Sequence, residues 1–168
     1  MLTLRALEDS DVPLVSEWLN KEHVKRWYEL PHMGVGIDDW LAEINARDGD
    51  FKWITYQIVL WQGKPIGFCQ FYRCEDSIDE DFGTMPIEGA YGIDYLIGES
   101  DYLGRGLGKQ MIGLLMETIG SFPDAKRITA DIDQDNRASA RSLLSCGFVL
   151  LDDEGSRYVW EDKSKQVI

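Results

Sequence analysis

The chain has 168 residues, of which 44% are hydrophobic, 30 are Asp or Glu and 17 are Lys or Arg, for a formal net charge of −13. That length and apolar share support a single domain, residues 1–168, around one core. The acidity argues against nucleic acid as a partner, because phosphate contacts need a basic surface, and favours cationic small molecules or basic proteins.

Leu2, Leu4 and Ala6 alternate with polar residues and predict a first strand. Asp9, Ser10 and Asp11 offer capping oxygens ahead of Pro13, and Leu14, Val15, Trp18 and Leu19 form the apolar face of a helix ending near Asn20 and Lys21. Residues 21–26 continue as a polar, helix-compatible segment. Trp27 and Tyr28 then enter a loop marked by Pro31, Gly34 and Gly36, where they either line a ligand pocket or anchor the loop on the core. A second helix starts at Ile37 and Asp38, carries Leu41 and Ile44 on the face of Ile37, and stops at Asp48-Gly49-Asp50.

Residues 51–61 read as a long strand through the alternation of Ile54, Tyr56, Ile58 and Leu60. Gln62-Gly63-Lys64 is a tight turn and residues 65–72 the returning strand, with Gly67 at a bulge or a close backbone approach. Residues 75–81, EDSIDED, hold five carboxylates in seven positions. They form either a solvated loop or an electrostatic lip for a cationic substrate. An apolar strand follows over residues 91–97 and carries one carboxylate, Asp94, which is costly in such a strand without a purpose.

After a link over residues 99–102 comes a glycine-rich turn, Leu103-Gly104-Arg105-Gly106-Leu107-Gly108, opening a helix with apolar positions at Leu107, Met111, Leu114 or Leu115, and Ile119. Residues 127–132 form a strand that puts Asp131 and Asp133 opposite Ile128, Ala130 and Ile132. Asp135 or Asn136 caps a short helix ending at Cys146, with Gly147 behind it. Residues 148–151 and 157–160 flank 152–156 as a closing hairpin, and the tail 161–168 is expected to fray. The order strand, two helices, three strands, helix, strand, helix, two strands makes an α/β domain with a mixed, mostly antiparallel sheet.

Cys69, Cys74 and Cys146 are odd in number and lack metal-ligand spacing, so they read as free thiols in a reducing compartment. His23 and His32 are too few and too isolated for a metal site. The first residues show no leader pattern and no apolar run approaches a membrane span, so the expected location is cytoplasmic, without a membrane partner.

The glycine-rich turn is the strongest functional signal. A strand, a glycine turn and a helix start expose backbone N–H groups that the helix leaves unsatisfied, a site for phosphate. A P-loop fails here because Gln110 follows Gly108-Lys109 and Leu103 takes the first glycine's place. A dinucleotide fingerprint fits Gly104 and Gly106 but meets Lys109 where its third glycine belongs. A plain helix start with small residues for close packing is the bland alternative.

What remains, x-Gly-Arg-Gly-x-Gly between strand and helix, resembles the pyrophosphate loop of the GCN5-related N-acetyltransferases. A second marker, Asn136-Arg137-Ala138 placed eleven residues before Gly147-Phe148, resembles that family's last coenzyme-contacting helix. The resemblance covers nearly the whole chain. It implies a sheet splayed at its central strand to hold acetyl-CoA. Tyr95, Leu96 and Ile97 would meet the pantetheine arm. The N–H groups around Leu103, Gly104, Arg105, Gly106, Leu107, Gly108 and Lys109 would hold the phosphates, with Asn136, Arg137 and Arg141 nearer the adenosine end. Arg105, Lys109, Arg137 and Arg141 would equally serve as surface ion-pair partners.

Within the family the chain is most similar to the aminoglycoside 6′-N-acetyltransferases. That likeness runs through Trp18-Leu19-Asn20, Trp27-Tyr28, the segment from Pro65 to Gln70, Tyr91-Gly92-Ile93-Asp94, the glycine loop and Asp131. It implies that Asp94 is the general base, and that Asp131, Asp79, Gln70, Trp27 and Tyr28, with Asp94, hold a cationic acceptor. A pKa of about 4 makes an Asp a weak base for a free ammonium, so Asp94 would orient the amine and take its proton as the new bond forms. Two positions depart from the family: Leu103 stands where Gln or Arg usually opens the loop, and Leu143 where the subgroup has a Tyr proposed to protonate the leaving thiolate. Acetyl transfer to a polyamine, a siderophore amine or a protein amine fits the same residues, and Leu143 keeps open a non-catalytic coenzyme A-binding module. A monomer or homodimer is expected.

Overall fold

The structure, a computed structural model, describes residues 1–151 and 155–166. Seven strands form one sheet: β1 (Leu2–Ala6), β2 (Ile54–Trp61), β3 (Lys64–Arg73), β4 (Ala90–Ile97), β5 (Arg127–Asp131), β6 (Val149–Leu150) and β7 (Arg157–Glu161). Their spatial order is β1-β2-β3-β4-β5-β7-β6. β1 with β2, β5 with β7 and β6 with β7 run antiparallel, while β4 and β5 are parallel and are joined through a helix, as a parallel pair requires. The helices are α1 (Val12–Leu19), α2 (Glu22–Tyr28), α3 (Ile37–Asn45), α4 (Leu107–Gly120) and α5 (Arg137–Ser145). The sheet is thus mixed and mostly antiparallel, as its sequence pattern predicts.

The chain divides into two compact units, Met1–Gln70 with Tyr95–Gly108, and Phe71–Asp94 with Lys109–Ile168. The first unit buries Val15, Trp18 and Leu19 of α1, Ile44 of α3, Ile58 and Val59 of β2, and Ile66 and Phe68 of β3. Ahead of α1, Asp11 accepts two hydrogen bonds from the Arg5 guanidinium (2.6 and 2.8 Å) and one from the Glu8 N–H (2.8 Å). The hydrogen bonds from Arg5, foremost, hold the Asp11 carboxyl below the usual range. Gln62 (φ 50°) and Gly63 (φ 83°) are both left-handed, the geometry of a two-residue hairpin turn between β2 and β3.

Gly67 marks a close approach: a Cβ there would lie 2.3 Å from the Leu96 carbonyl oxygen. Gly98 is tighter still, because a Cβ would stand 2.0 Å from the Trp18 indole, whose Nε1 donates to Glu99 at 2.8 Å.

Two expectations change in this unit. Residues 51–53 turn instead of extending β2, because Phe51 N–H donates back to Ala46 (3.2 Å) and Lys52 N–H to Gly49 (3.2 Å). A third helix, α2, takes in the polar segment and ends with Trp27 and Tyr28 in its last turn, so these aromatics stand on a helix and not in the Gly/Pro loop.

The second unit buries Met111, Ile112, Leu115 and Ile119 along α4, with Leu115 fully enclosed and Leu114 only half-buried. Phe122 packs between Phe71 (6.0 Å between ring centres) and Tyr91 (5.6 Å). The Asn136 side chain caps α5 by accepting from Ser139 N–H at 3.3 Å, and Gly147 (φ 92°) turns the chain out of it. In the closing hairpin Val149 pairs with Val159 and Leu150 with Tyr158, while residues 152–154 of the expected link lie outside the described residues. Of the expected frayed tail, Glu161 belongs to β7 and Lys163–Lys165 forms a short 3-10 turn; residues 167 and 168 lie outside the description.

All three cysteines are free. Burial pushes the Cys69 and Cys74 thiols up to about 12 and also raises that of the half-exposed Cys146.

Candidate active site

In the second unit the ladder between β4 and β5 covers only Ala90, Tyr91 and Gly92 opposite Arg127, Ile128 and Thr129, although β4 runs on to Ile97. Asp94 lies on β4 past the end of this ladder and is half-buried. Tyr72, on β3, donates its hydroxyl to Glu80 Oε2 at 3.0 Å, and the Ser77 hydroxyl donates to the same oxygen at 3.2 Å. Burial, followed by the charges of Asp94 and Glu80, drives the Tyr72 hydroxyl far above its ordinary pKa. It stays a proton donor at any working pH. The Glu80 carboxyl is raised as well, by loss of solvent around it. Gly92 makes room for this arrangement, since a Cβ there would stand 2.4 Å from the Tyr72 ring.

The acidic segment is therefore two things at once. Glu75, Asp76, Asp79, Glu80 and Asp81 are all exposed, and Glu75 pairs with Arg73 (2.9 Å). Glu80 instead turns to Tyr72, and Phe82 is buried beneath the Arg157 guanidinium, 5.3 Å from its ring centre. Arg157 also donates to the Asp81 carbonyl (3.0 Å) and grips Asp131 through both carboxylate oxygens (3.0 and 2.9 Å). Asp131 and Arg157 stand directly opposite each other in the β5–β7 register. Asp131, expected to hold an acceptor, is thus already engaged by a cation of this chain.

In the first unit, the C-terminal half of β4 is held by α2 and the residue before it. Tyr28 donates its hydroxyl to the Tyr95 carbonyl, His23 Nε2 donates to Ile97 O at 3.0 Å, and Lys21 donates to Gly98 O at 3.2 Å. Leu96 is buried. Tyr28 is fixed in turn by an edge-on contact with Trp40 (5.0 Å, 70°), whose Nε1 donates to the Tyr28 carbonyl at 2.9 Å. Trp27 is half-buried under the Arg26 guanidinium, 5.8 Å from its ring centre. Gln70 is buried on β3.

The glycine loop closes the first unit. Gly104 (φ 71°) and Gly106 (φ 72°) are left-handed, and a Cβ on either would meet no protein atom within 4 Å. Among the described residues, no hydrogen bond uses the N–H groups of Gly104, Arg105 or Gly106. Leu107 is buried and starts α4, whereas Leu103, Arg105 and Lys109 are exposed. The Arg105 guanidinium lies over Tyr102 (5.0 Å) and Trp61 (5.9 Å). Unused donors, open space and a 14-residue helix behind them fit a diphosphate. In the second unit Asn136 is spent on capping α5, Arg137 and Arg141 are exposed, and Leu143 is fully buried, so no hydroxyl stands at that position.

Three participants were not singled out from the sequence: Tyr72, the inward turn of Glu80, and Arg157. Tyr72 was within reach, because it lies two residues beyond Gln70 on the same strand face. Arg157 was not, because its partner lies 26 residues away on a strand that is not its chain neighbour. Among the described residues no His, Cys, Asp or Glu group could hold a metal ion.

The family profile described as "Acetyltransferase (GNAT) domain" matches residues 8–153. The chain is 28% identical over 151 residues to the aminoglycoside N(6′)-acetyltransferase type 1 of Klebsiella pneumoniae, covering 88% of this chain and 73% of that protein. A crystal structure of AAC(6′)-Ib with coenzyme A and kanamycin superposes with a TM-score of 0.78 at 26% identity, covering 98% of this chain and 96% of the other. The structure of AAC(6′)-Ib with ribostamycin and coenzyme A gives 0.80 at 25% identity, covering 97% and 94%. The chain belongs to the GNAT acetyltransferases, the N-acetyltransferases whose acetyl donor is acetyl-CoA.

Proposed function

We propose that this chain acetylates a primary amine of a cationic small molecule, an aminoglycoside at its 6′-amine, with Asp94 as the catalytic carboxylate. The observation that carries the reading is the setting of Asp94. It is a half-buried carboxylate past the end of the β4–β5 ladder, directly preceding Tyr95, Leu96 and Ile97 in the chain, and its charge acts on the Tyr72 hydroxyl. The amine-bearing drugs in the related complexes supply the acceptor class.

Acetyl-CoA, when bound, supplies an acyl carbon activated as a thioester. The N–H groups of Gly104, Arg105 and Gly106, with those of Leu107, Gly108 and Lys109 at the start of α4, hold its diphosphate, and Arg105 and Lys109 offset the charge. Tyr95, Leu96 and Ile97 offer backbone groups to its amide arm. Arg141 serves the far end of the coenzyme, on the helix whose start Asn136 caps. Asp94 orients the ammonium of the acceptor and takes one of its protons, directly or through water, so that the freed nitrogen lone pair reaches the acyl carbon; the C–N bond forms as the C–S bond breaks, the sulfur leaves as a thiolate and the second nitrogen proton passes to water. Exposed Asp79 draws the cation in. Leu143, fully buried, donates no proton to a leaving group.

The chain works in the cytoplasm as a monomer or homodimer, without nucleic acid, and its action on a drug amine would confer resistance. No helix among the described residues is long and apolar enough to cross a membrane.

The test is turnover of acetyl-CoA with kanamycin, spermidine and a lysine peptide, by wild type and Asp94→Asn. The expected outcome is turnover with kanamycin, and a kcat for the variant lower by roughly 10²–10⁴, the usual worth of a positioned base, at unchanged coenzyme affinity. Turnover confined to spermidine or the peptide would reject the aminoglycoside. A variant kcat within about threefold of wild type would remove Asp94 from the chemistry.

A further inference from the structure

We propose that Arg157 is a specificity-determining residue: it withdraws Asp131 from amine recognition, so that an acceptor is read at Asp94, Tyr72 and Glu80 and gains little from extra ammonium groups near Asp131. The inference rests on the aminoglycoside reading only for its choice of probes. Its ground is a set of contacts within the second unit. Arg157 occupies both oxygens of Asp131 at 3.0 and 2.9 Å with good fork geometry, and the guanidinium is itself nearly enclosed, with 12% of its side chain exposed against 41% for Asp131. An ammonium approaching the exposed side of Asp131 therefore meets a neutral pair, because the repulsion from Arg157 offsets the attraction of the carboxylate.

Arg157 is also too well anchored to swing away. Its NH2 group donates to the Asp81 carbonyl at 3.0 Å and its plane lies on the buried Phe82. Those two anchors, Asp81 and Phe82, directly follow Glu80, whose carboxylate accepts from the Tyr72 hydroxyl. One guanidinium thus closes one anionic position and braces the residues that present another. The predicted acceptor is an amine whose affinity comes from its reacting end, and an acceptor with many ammonium groups has no advantage in proportion to its charge.

The experiment is calorimetric binding of kanamycin, spermine and 6-amino-6-deoxyglucose, which carries only the reacting amine, to wild type, Asp131→Asn, Arg157→Met and the double variant, with melting temperatures as a check on folding. Freed of its partner, Asp131 in Arg157→Met should tighten kanamycin or spermine by about tenfold or more and leave the single-amine sugar within about threefold. Asp131→Asn alone leaves the Arg157 charge unmatched and should weaken kanamycin and spermine while the single-amine sugar stays within about threefold, and the double variant, again neutral, should return to wild-type affinities. An Arg157→Met chain that stays folded and gains affinity for none of the probes overturns the inference. If Arg157→Met does not fold, the double variant decides: polyamine affinity within about threefold of wild type supports the inference, and a loss of about tenfold means that Asp131 binds the polyamine directly and overturns it. Failure of wild type to bind either sugar would count against the aminoglycoside reading alone, and spermine would then decide the role of Arg157.

Discussion

Gly106 is the position where an added side chain tells the proposed coenzyme loop from an ordinary helix start. Gly106→Val places a side chain on a residue at φ 72°, where no protein atom lies within 4 Å of the new Cβ. Steric clash within the chain is therefore small, and the cost to folding is the left-handed backbone alone, about 1–2 kcal/mol for an L-residue. For a chain of this size that lowers the melting temperature by roughly 2–8 °C. Gly34→Val is the matched control, since Gly34 sits at φ 69° with equally open surroundings and lies outside the loop. Both variants should lose similar stability.

Only Gly106→Val should lose coenzyme. The side chain would project over N–H groups whose bonds to a charged phosphate are worth about 1.5–3 kcal/mol each. Losing two of them weakens binding by roughly 100-fold or more. Titration calorimetry with coenzyme A and a thermal melt measure both quantities on the same samples. A dissociation constant for Gly106→Val within about threefold of the Gly34→Val control, at equal melting temperatures, would refute the loop assignment and leave residues 103–108 as a plain helix start.

Neutralising Glu75, Asp76, Asp79 and Asp81 together, with Glu80 kept, should raise KM for kanamycin and flatten its salt dependence while the melting temperature holds; a lower melting temperature at constant KM would make the segment structural. Gly98→Ala should destabilise by roughly 3–5 kcal/mol, because the buried Trp18 ring cannot retreat from a Cβ without straining its bond to Glu99; a chemical denaturation curve with an unshifted midpoint would contradict this. Asp11→Asn should cost about 2–4 kcal/mol at pH 7 by loss of the charge-assisted bonds from Arg5. Because the Asp11 carboxyl is depressed in the folded chain, its contribution is present above the unfolded value of about 3.9 and disappears as pH falls through the folded one. Denaturant midpoints of wild type and variant should therefore converge in acid and stay apart at neutral pH.

Most of the sheet was legible because its signals are local. Alternation from Ile54 to Leu60 marked β2, the Gln62-Gly63 pair marked its turn, and Asn136 and Gly147 marked both ends of α5. The errors came where a local signal met a competing partner. Phe51 looked like the start of a strand, but its N–H was claimed by Ala46 at the end of the preceding helix. Trp27 and Tyr28 looked like loop residues because glycine and proline follow, yet the first of these breakers is Pro31, late enough for α2 to complete its last turn. As candidates, Asp94 and the loop could be picked out because each stands against its own background, a carboxylate in an apolar strand and glycines at a helix start. The pairing of Asp131 could not, since its partner is a residue that only the β5–β7 register brings opposite.

The burial of the cysteines has a practical side. At pH 8 a thiol with a pKa of about 12 is ionised in roughly one molecule in ten thousand, and only the ionised form attacks a disulfide reagent. Cys69 and Cys74, both enclosed, are thus slow to react, and Cys146, partly exposed with its sulfur turned toward the Lys109 carbonyl at 3.6 Å, is the thiol whose background a blank without coenzyme would measure. A chromogenic aromatic disulfide in the cuvette would report each free coenzyme thiol as it is liberated, in real time and without cysteine-free mutants.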